Sequence, residues 1–131
     1  MHKWDIEYIP NSDLLYYRVN KKKYNEIRKS KRVNKAHEFP VGLFSFAGSC
    51  LSVDGSKYST PRQSQKRARI PDDNGIVEFK VADVRRERHK VRHVPSEHNR
   101  AHSAICGIQP KIRITLQRIA KWSEGFVVDP V

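Results

Sequence analysis

The amino-acid sequence predicts an α+β fold: a single domain built on a small, mostly antiparallel sheet with three or four helices. Three observations carry that expectation. Short runs with apolar residues at every second position alternate with basic stretches of helical spacing. Pro, Gly, Asn and Asp punctuate those runs where turns are needed. The chain of 131 residues falls within the size of one domain and is too short to divide into two pieces with independent cores. One basic domain over 1–131 is therefore expected, with 1–12 and 126–131 fraying.

Taken in order, DLLYYRV (13–19) is apolar and aromatic enough for an early strand, with Arg18 near its end. Asn20 then caps a helix that begins KKKYNEI. FPVGLFSFAGSCLSVDGSKY (39–58) predicts short core strands joined by tight turns, and the alternation of Leu43, Ser45 and Ala47 with Phe44 and Phe46 favours strand there. In TPRQ, Thr60 and Gln63 form a capping box around Pro61 at the first helical position, opening a short basic helix that ends near Ile70 and Pro71. DDNG (72–75) is turn chemistry, and IVEFKV after it alternates, with Val77, Phe79 and Val81 on one face. ADVRRERHK turns or makes a short helix, KVRHV (90–94) returns as a strand, and Pro95 stops it. AHSAICG (101–107) alternates again, so His102, Ala104 and Cys106 share a face. Pro110 opens a last helix in which Ile112, Leu116, Ile119 and Ala120 keep helical spacing, with Gly125 past its end.

The net charge of +12 and the pI near 10.0 imply an anionic partner, because so much positive charge repels itself in the compact state. Nucleic acid comes first. A membrane surface has no support from a long apolar run, a bulky amphipathic helix or a lipidation motif. MHKWDIEYIPNSD lacks the apolar core of a signal peptide, so a cytoplasmic protein is expected, with Cys50 and Cys106 as reduced, buried thiols. Between Arg18 and Lys35 nine Lys or Arg stand against one acid, Glu26. Phosphate contacts are expected from Arg18, Lys21, Lys22, Lys23, Arg28, Lys29, Lys31 and Arg32, and from Arg62, Lys66, Arg67 and Arg69 of the second helix. A solvated helix face accounts for the same charges equally well. Tyr16, Tyr17, Tyr24 and Tyr58 adjoin basic residues and offer stacking platforms, which together with the absence of a recognition-helix signature favours RNA over duplex DNA.

VRHVPSEHNRAHSAICG (91–107) gathers titratable groups. His89, His93, His98 and His102 are spaced four, five and four apart, but Pro95 interrupts any helix joining them, HNRAH holds no glutamate, and neither metal nor cofactor is expected. Metal-independent RNA cleavage needs one group to take the 2'-hydroxyl proton and another to protonate the leaving oxygen. His93 and His102 suit those roles, with Arg100 as phosphate clamp and Asn99 as positioning donor. The competing reading makes both histidines half-buried, hydrogen-bonded strand residues. No phosphate-cradling glycine loop or GxSxG elbow is present.

YYRV, LSVD (51–54), YSTP (58–61) and HNRAHSAICG, in that order, resemble a group of small bacterial proteins over residues 14 to 107. The resemblance implies a compact bacterial domain and points to Arg18, Ser52, Asp54, His93, Asn99 and His102 as a common site. A fainter likeness runs to mono-ADP-ribosyltransferase toxins, which carry an arginine on an early strand, a serine on the next and a catalytic glutamate later. Arg18 and Ser52 match the first two. No E-x-E or Q-x-E follows, and Glu78 is the one glutamate in a strand, so the carboxylate that stabilises the cationic sugar is missing. The functional expectation is thus a nucleic-acid-binding protein, a ribonuclease-like toxin or nucleoprotein component. ADP-ribosyl transfer, or a subunit that meets an acidic protein partner, is the alternative.

Overall fold

Leu14–Asn20 (β1) alternates buried Leu15 and Val19 with exposed Arg18 and Asn20, and this pattern places it inside a sheet. A computed structural model describes residues 4–30 and 38–129. The other strands are Cys50–Gly55 (β2), Asn74–Lys80 (β3), Lys90–His93 (β4), His102–Cys106 (β5) and Lys121–Trp122 (β6). Among the described residues they form one six-stranded antiparallel sheet of order β4-β5-β2-β1-β3-β6. Four α-helices accompany it: Lys21–Lys29 (α1), Pro61–Lys66 (α2), Val81–Arg86 (α3) and Lys111–Ile119 (α4). The α+β expectation holds. No helix of the described residues is long and apolar enough to cross a membrane.

One face of the sheet carries the core. Leu15, Val19, Leu51, Val53, Val77, Phe79, Val91 and Ile105 pack against Tyr24 of α1, Val84 of α3, and Ile112 and Leu116 of α4. Fully burying each such side chain contributes about 1.5–3 kcal/mol. The opposite face bears Tyr16, Arg18, Ser52, Asp54 and His102, and α2 leans on it. β1 pairs with β3 along its whole length, from Leu14↔Lys80 to Asn20↔Asn74. With β2 it pairs only at Leu15↔Gly55 and Tyr16↔Asp54. Beyond Tyr16 the two strands part.

Local signals set several boundaries. Asn20 Oδ1 accepts from the Lys23 amide at 3.0 Å, and Thr60 and Gln63 exchange the two bonds of the capping box at 2.9 and 3.1 Å. Other boundaries differ from expectation. Residues 43–46 are not a strand: Val41–Leu43 is a 3-10 turn, which lets the consecutive Leu43 and Phe44 both point inward, as strand alternation forbids. Phe44 lies 5.9 Å from the ring of Phe79 and 5.7 Å from Tyr17. The second helix stops at Lys66, Val81 starts α3 instead of ending β3, and the last helix gives way to β6 before Gly125. Cys50 and Cys106 are not separate thiols but a disulfide, because the β2–β5 register sets them directly opposite with Cα atoms 4.1 Å apart. The stretches expected to fray carry long-range bonds over their described parts: Glu7 N–H donates to His93, and Ile76 N–H donates to Phe126 O at 3.0 Å.

That last bond brings the C-terminal segment hard against β3. A Cβ on Gly75 would lie 2.5 Å from Phe126 O and 2.6 Å from Val128 Cγ2, whereas one on Gly42 would meet nothing within 4 Å. Gly75→Ala is expected to destabilise the chain by about 1–3 kcal/mol through overpacking, and Gly42→Ala to stay within about 0.5 kcal/mol. Urea midpoints of the two variants check this.

Candidate functional site

Where β1 and β2 part, a cleft of about 220 Å³ opens on the second face of the sheet. Tyr16 and Arg18 supply one side of its floor from β1, and Ser52 and Asp54 the other from β2. His102, opposite Asp54 on β5, extends the floor, while Ser45 and Asn99 form walls. Ser45 is held by its amide donating to Tyr17 Oη at 3.0 Å and by the ammonium of Lys23 on its hydroxyl. Burial and the nearby Glu78 carboxylate push the Tyr16 phenol up, which keeps it a donor.

Asp54 is 7% exposed and its bonding capacity is spent within the fold. Oδ2 accepts from Ser64 Oγ at 2.7 Å and Arg67 Nη1 at 2.9 Å; Oδ1 accepts from Asn99 Nδ2 at 2.8 Å. Asn99 is fixed in turn, since its Oδ1 accepts the Ala101 amide at 3.0 Å. Arg67 therefore neutralises the one carboxylate in the cleft. Arg18 keeps a free charge: its Nη1 reaches Ser64 O at 3.3 Å, and no carboxylate pairs with it among the described residues. An exposed guanidinium flanked by neutral hydroxyl and amide groups has the chemistry to accept an anion.

The two histidines of the expected acid–base pair do not meet. His93 pairs with Ser103 and so faces the core side, while His102, one residue earlier on β5, faces the cleft. His93 is 5% exposed, its Nδ1 accepts the Glu7 amide at 2.9 Å, and its Nε2–H donates to Arg100 O at 2.6 Å. Both nitrogens are structural. His102 Nδ1–H donates to Val94 O at 2.8 Å, which leaves Nε2 as its unengaged nitrogen. Arg100 lies outside the cleft, with its guanidinium 4.0 Å from the Tyr58 ring, 4.7 Å from Trp4 and 3.6 Å from Glu7. Asn99 does reach the cleft, as a wall rather than a free donor. His89 is half-buried, bonded to Thr115 Oγ1 at 2.9 Å and pushed down by burial, and His98 is exposed. No group of three or more metal-ligating side chains forms among the described residues.

The basic residues divide similarly. Lys21 and Lys22 are exposed at the start of α1, beside Asp73, and Lys66 and Arg69 are exposed at and beyond the end of α2. Gln65 Nε2 donates to Asn74 O at 2.9 Å, and Asn74 pairs with Asn20, so both groups belong to the end of the sheet where β1 stops, two residues past Arg18. Arg62 lies over the Phe126 ring at 5.1 Å. Lys23 and Arg67 are engaged as described, Arg28 Nη1 reaches Glu38 O at 3.3 Å, and Lys29 is exposed. Lys31 and Arg32 lie outside the described residues. Of the tyrosines, Tyr24 is buried, and Tyr17 and Tyr58 bond Leu43 O and Glu7. Tyr16 and Tyr17 both line the cleft.

No family model, curated protein or solved structure matches this chain. Sequence reasoning missed Ser45, Ser64 and the tie of Arg67 to Asp54. Ser64 carried one faint signal: three residues after Pro61, it falls on the helix turn nearest the sheet.

Glu7 clamps the N-terminal segment onto the loop that carries Asn99. Hydrogen bonds from Lys57 and Tyr58, then the charges of Lys57 and Arg100, lower its carboxyl from 4.5 to about 2. A carboxyl depressed on folding stabilises the fold above its unfolded value and loses that contribution as pH falls. Glu7→Gln is therefore expected to be less stable than the parent at neutral pH, with the difference closing between pH 4.5 and about 2. Urea midpoints measured across that window check it.

Proposed function

We propose that this chain binds nucleic acid, RNA in preference to duplex DNA, with one phosphate seated on Arg18 in the cleft. The observation that carries the proposal is the uncompensated guanidinium of Arg18, set among the neutral donors of Tyr16 and Ser52 while Asp54 is neutralised by Arg67. Lys21, Lys22, Lys66 and Arg69 supply flanking phosphate contacts at the same end of the sheet. The size of the cleft supports a single strand: about 220 Å³ takes a phosphate with part of a sugar or base, not a duplex. Cleavage by a two-histidine relay loses support, since His93 has no free nitrogen; His102 Nε2 is the one histidine nitrogen the cleft offers as proton acceptor.

A second reading, mono-ADP-ribosyl transfer, is favoured by one observation. Arg18 and Ser52, on neighbouring strands, open onto the same cleft, as the resemblance to those toxins requires of their counterparts. At the β5 position the cleft has His102 and no free carboxylate, so the dinucleotide phosphate site is better supported than the transfer step.

Labelled single-stranded RNA is expected to bind with an affinity that falls steeply as salt rises, and Arg18→Gln to weaken binding at least about tenfold. Lys66→Ala is expected to weaken all sequences alike and lower the salt slope by about 1. A salt-series titration with a denaturing gel reads both. RNA binding that ignores Arg18→Gln overturns the cleft as its site; nicotinamide release from the dinucleotide, lost in Arg18→Gln, moves the second reading to the front.

A further inference from the structure

β4 is the outermost strand on its side of the sheet. Val94 N–H donates to His102 O at 2.9 Å, and the β4–β5 register continues through Arg92↔Ala104 and Lys90↔Cys106. Hydrogen-bonded pairs alternate along an antiparallel ladder, so Lys90 and Arg92 turn their backbone groups toward β5, and Val91 and His93 turn theirs outward. Among the described residues nothing bonds those outward groups. A groove of about 340 Å³ runs along this edge, between Val91–Val94 and the segment Ile6–Ile9. Its shelf is apolar and open, with Ile6 75% and Tyr8 76% exposed.

The charges beside the edge select an occupant. Arg88, Lys90 and Arg92 are all exposed, and Arg85 stacks 4.9 Å from the Tyr8 ring. Of the nearby acids, Glu7 and Glu87 are ion-paired and Asp83 meets Arg86 at 3.3 Å, leaving Asp5 and Glu97 as the exposed ones. A second copy of this chain would bring the same Lys90 and Arg92 to the seam and a further +12. An acidic strand meets no such repulsion.

We propose that the β4 edge docks an extended acidic segment of a partner protein as an added strand. The face geometry also sets its pattern. Glu7 bonds the His93 side chain, so Ile6–Ile9 lies on the face that Val91 and His93 occupy, and the side chains of Lys90 and Arg92 stand on the other. A docked strand puts apolar side chains against Ile6 and Tyr8 and acidic ones against Lys90 and Arg92, alternating at the period of a strand.

The test uses the whole chain with short synthetic peptides that alternate Glu with Val or Ile, and parallel peptides N-methylated at every second residue. Amide exchange at Val91 and His93 is expected to slow at least about tenfold on binding, to be unaffected by the N-methylated peptides, and to lose most of its protection in Arg92→Glu while β1 amides stay protected. Absence of binding across the peptide set overturns the proposal. So does equal binding of the N-methylated forms, which marks mere charge adhesion, or equal protection of the same two amides by single-stranded RNA, which makes the edge part of a nucleic-acid surface.

Discussion

The carboxylate of Asp54 is the constraint on which the second face of this sheet depends. A buried charge persists only when paired and hydrogen-bonded, and removing a partner leaves it uncompensated at a cost of several kcal/mol. Asp54 meets that condition by drawing in three separate pieces of chain: Ser64 in α2, Arg67 just beyond it, and Asn99 in the loop before β5. Ser59 tightens the arrangement, bonding both Ser64 Oγ at 2.7 Å and Arg67 at 2.9 Å. α2 has six residues and would not persist alone in water. Its place on the sheet follows from its capping box and from this polar anchor, more than from an apolar face.

The same anchor decides the electrostatics of the cleft. Were Arg67 elsewhere, Asp54 would place an uncompensated negative charge in the same cleft as Arg18. With Arg67 committed, Arg18 remains positive. A second tie fixes the wall of the cleft. Tyr17 Oη donates to Leu43 O at 3.0 Å and accepts the Ser45 amide at 3.0 Å, so the 3-10 turn and the chain after it are tied to β1. Ser45 is thereby held as a wall of the cleft.

What was legible in the sequence was local. Asn20 and Thr60 announce their caps within three residues, and the alternation of 101–107 correctly puts His102, Ala104 and Cys106 on one face. What was not legible was register. His93 and His102 both sit in alternating strands, yet whether they share a face depends on a single step of pairing: His93 opposite Ser103, not opposite His102. Cys50 and Cys106, 56 residues apart, become partners through the β2–β5 register in the same way. Leu43 and Phe44 look like part of a strand until Phe79 and Trp122 are known to lie on the layer they fill. A short sequence window holds none of these relations.

Register also relates the cleft to the edge of the sheet. Lys90 and Arg92 project on the same face as His102, Asp54 and Arg18, because β4, β5, β2 and β1 are successive neighbours and their side chains alternate in step. β4 stands three strands from β1, which carries Arg18, a separation of about 14 Å at the usual strand spacing. The Debye length at physiological salt is about 8 Å. Charge placed along β4 is therefore felt at Arg18 only weakly through solvent, but the loop from Val94 to Arg100 connects the edge and the cleft more directly. Its first residue bonds the β5 backbone beside the edge, and Asn99 at its far end grips Asp54. An acidic strand added at β4 would thus lower the local positive potential and restrain the same loop that walls the cleft. The edge and the cleft thus share one structural element, the loop from Val94 to Arg100.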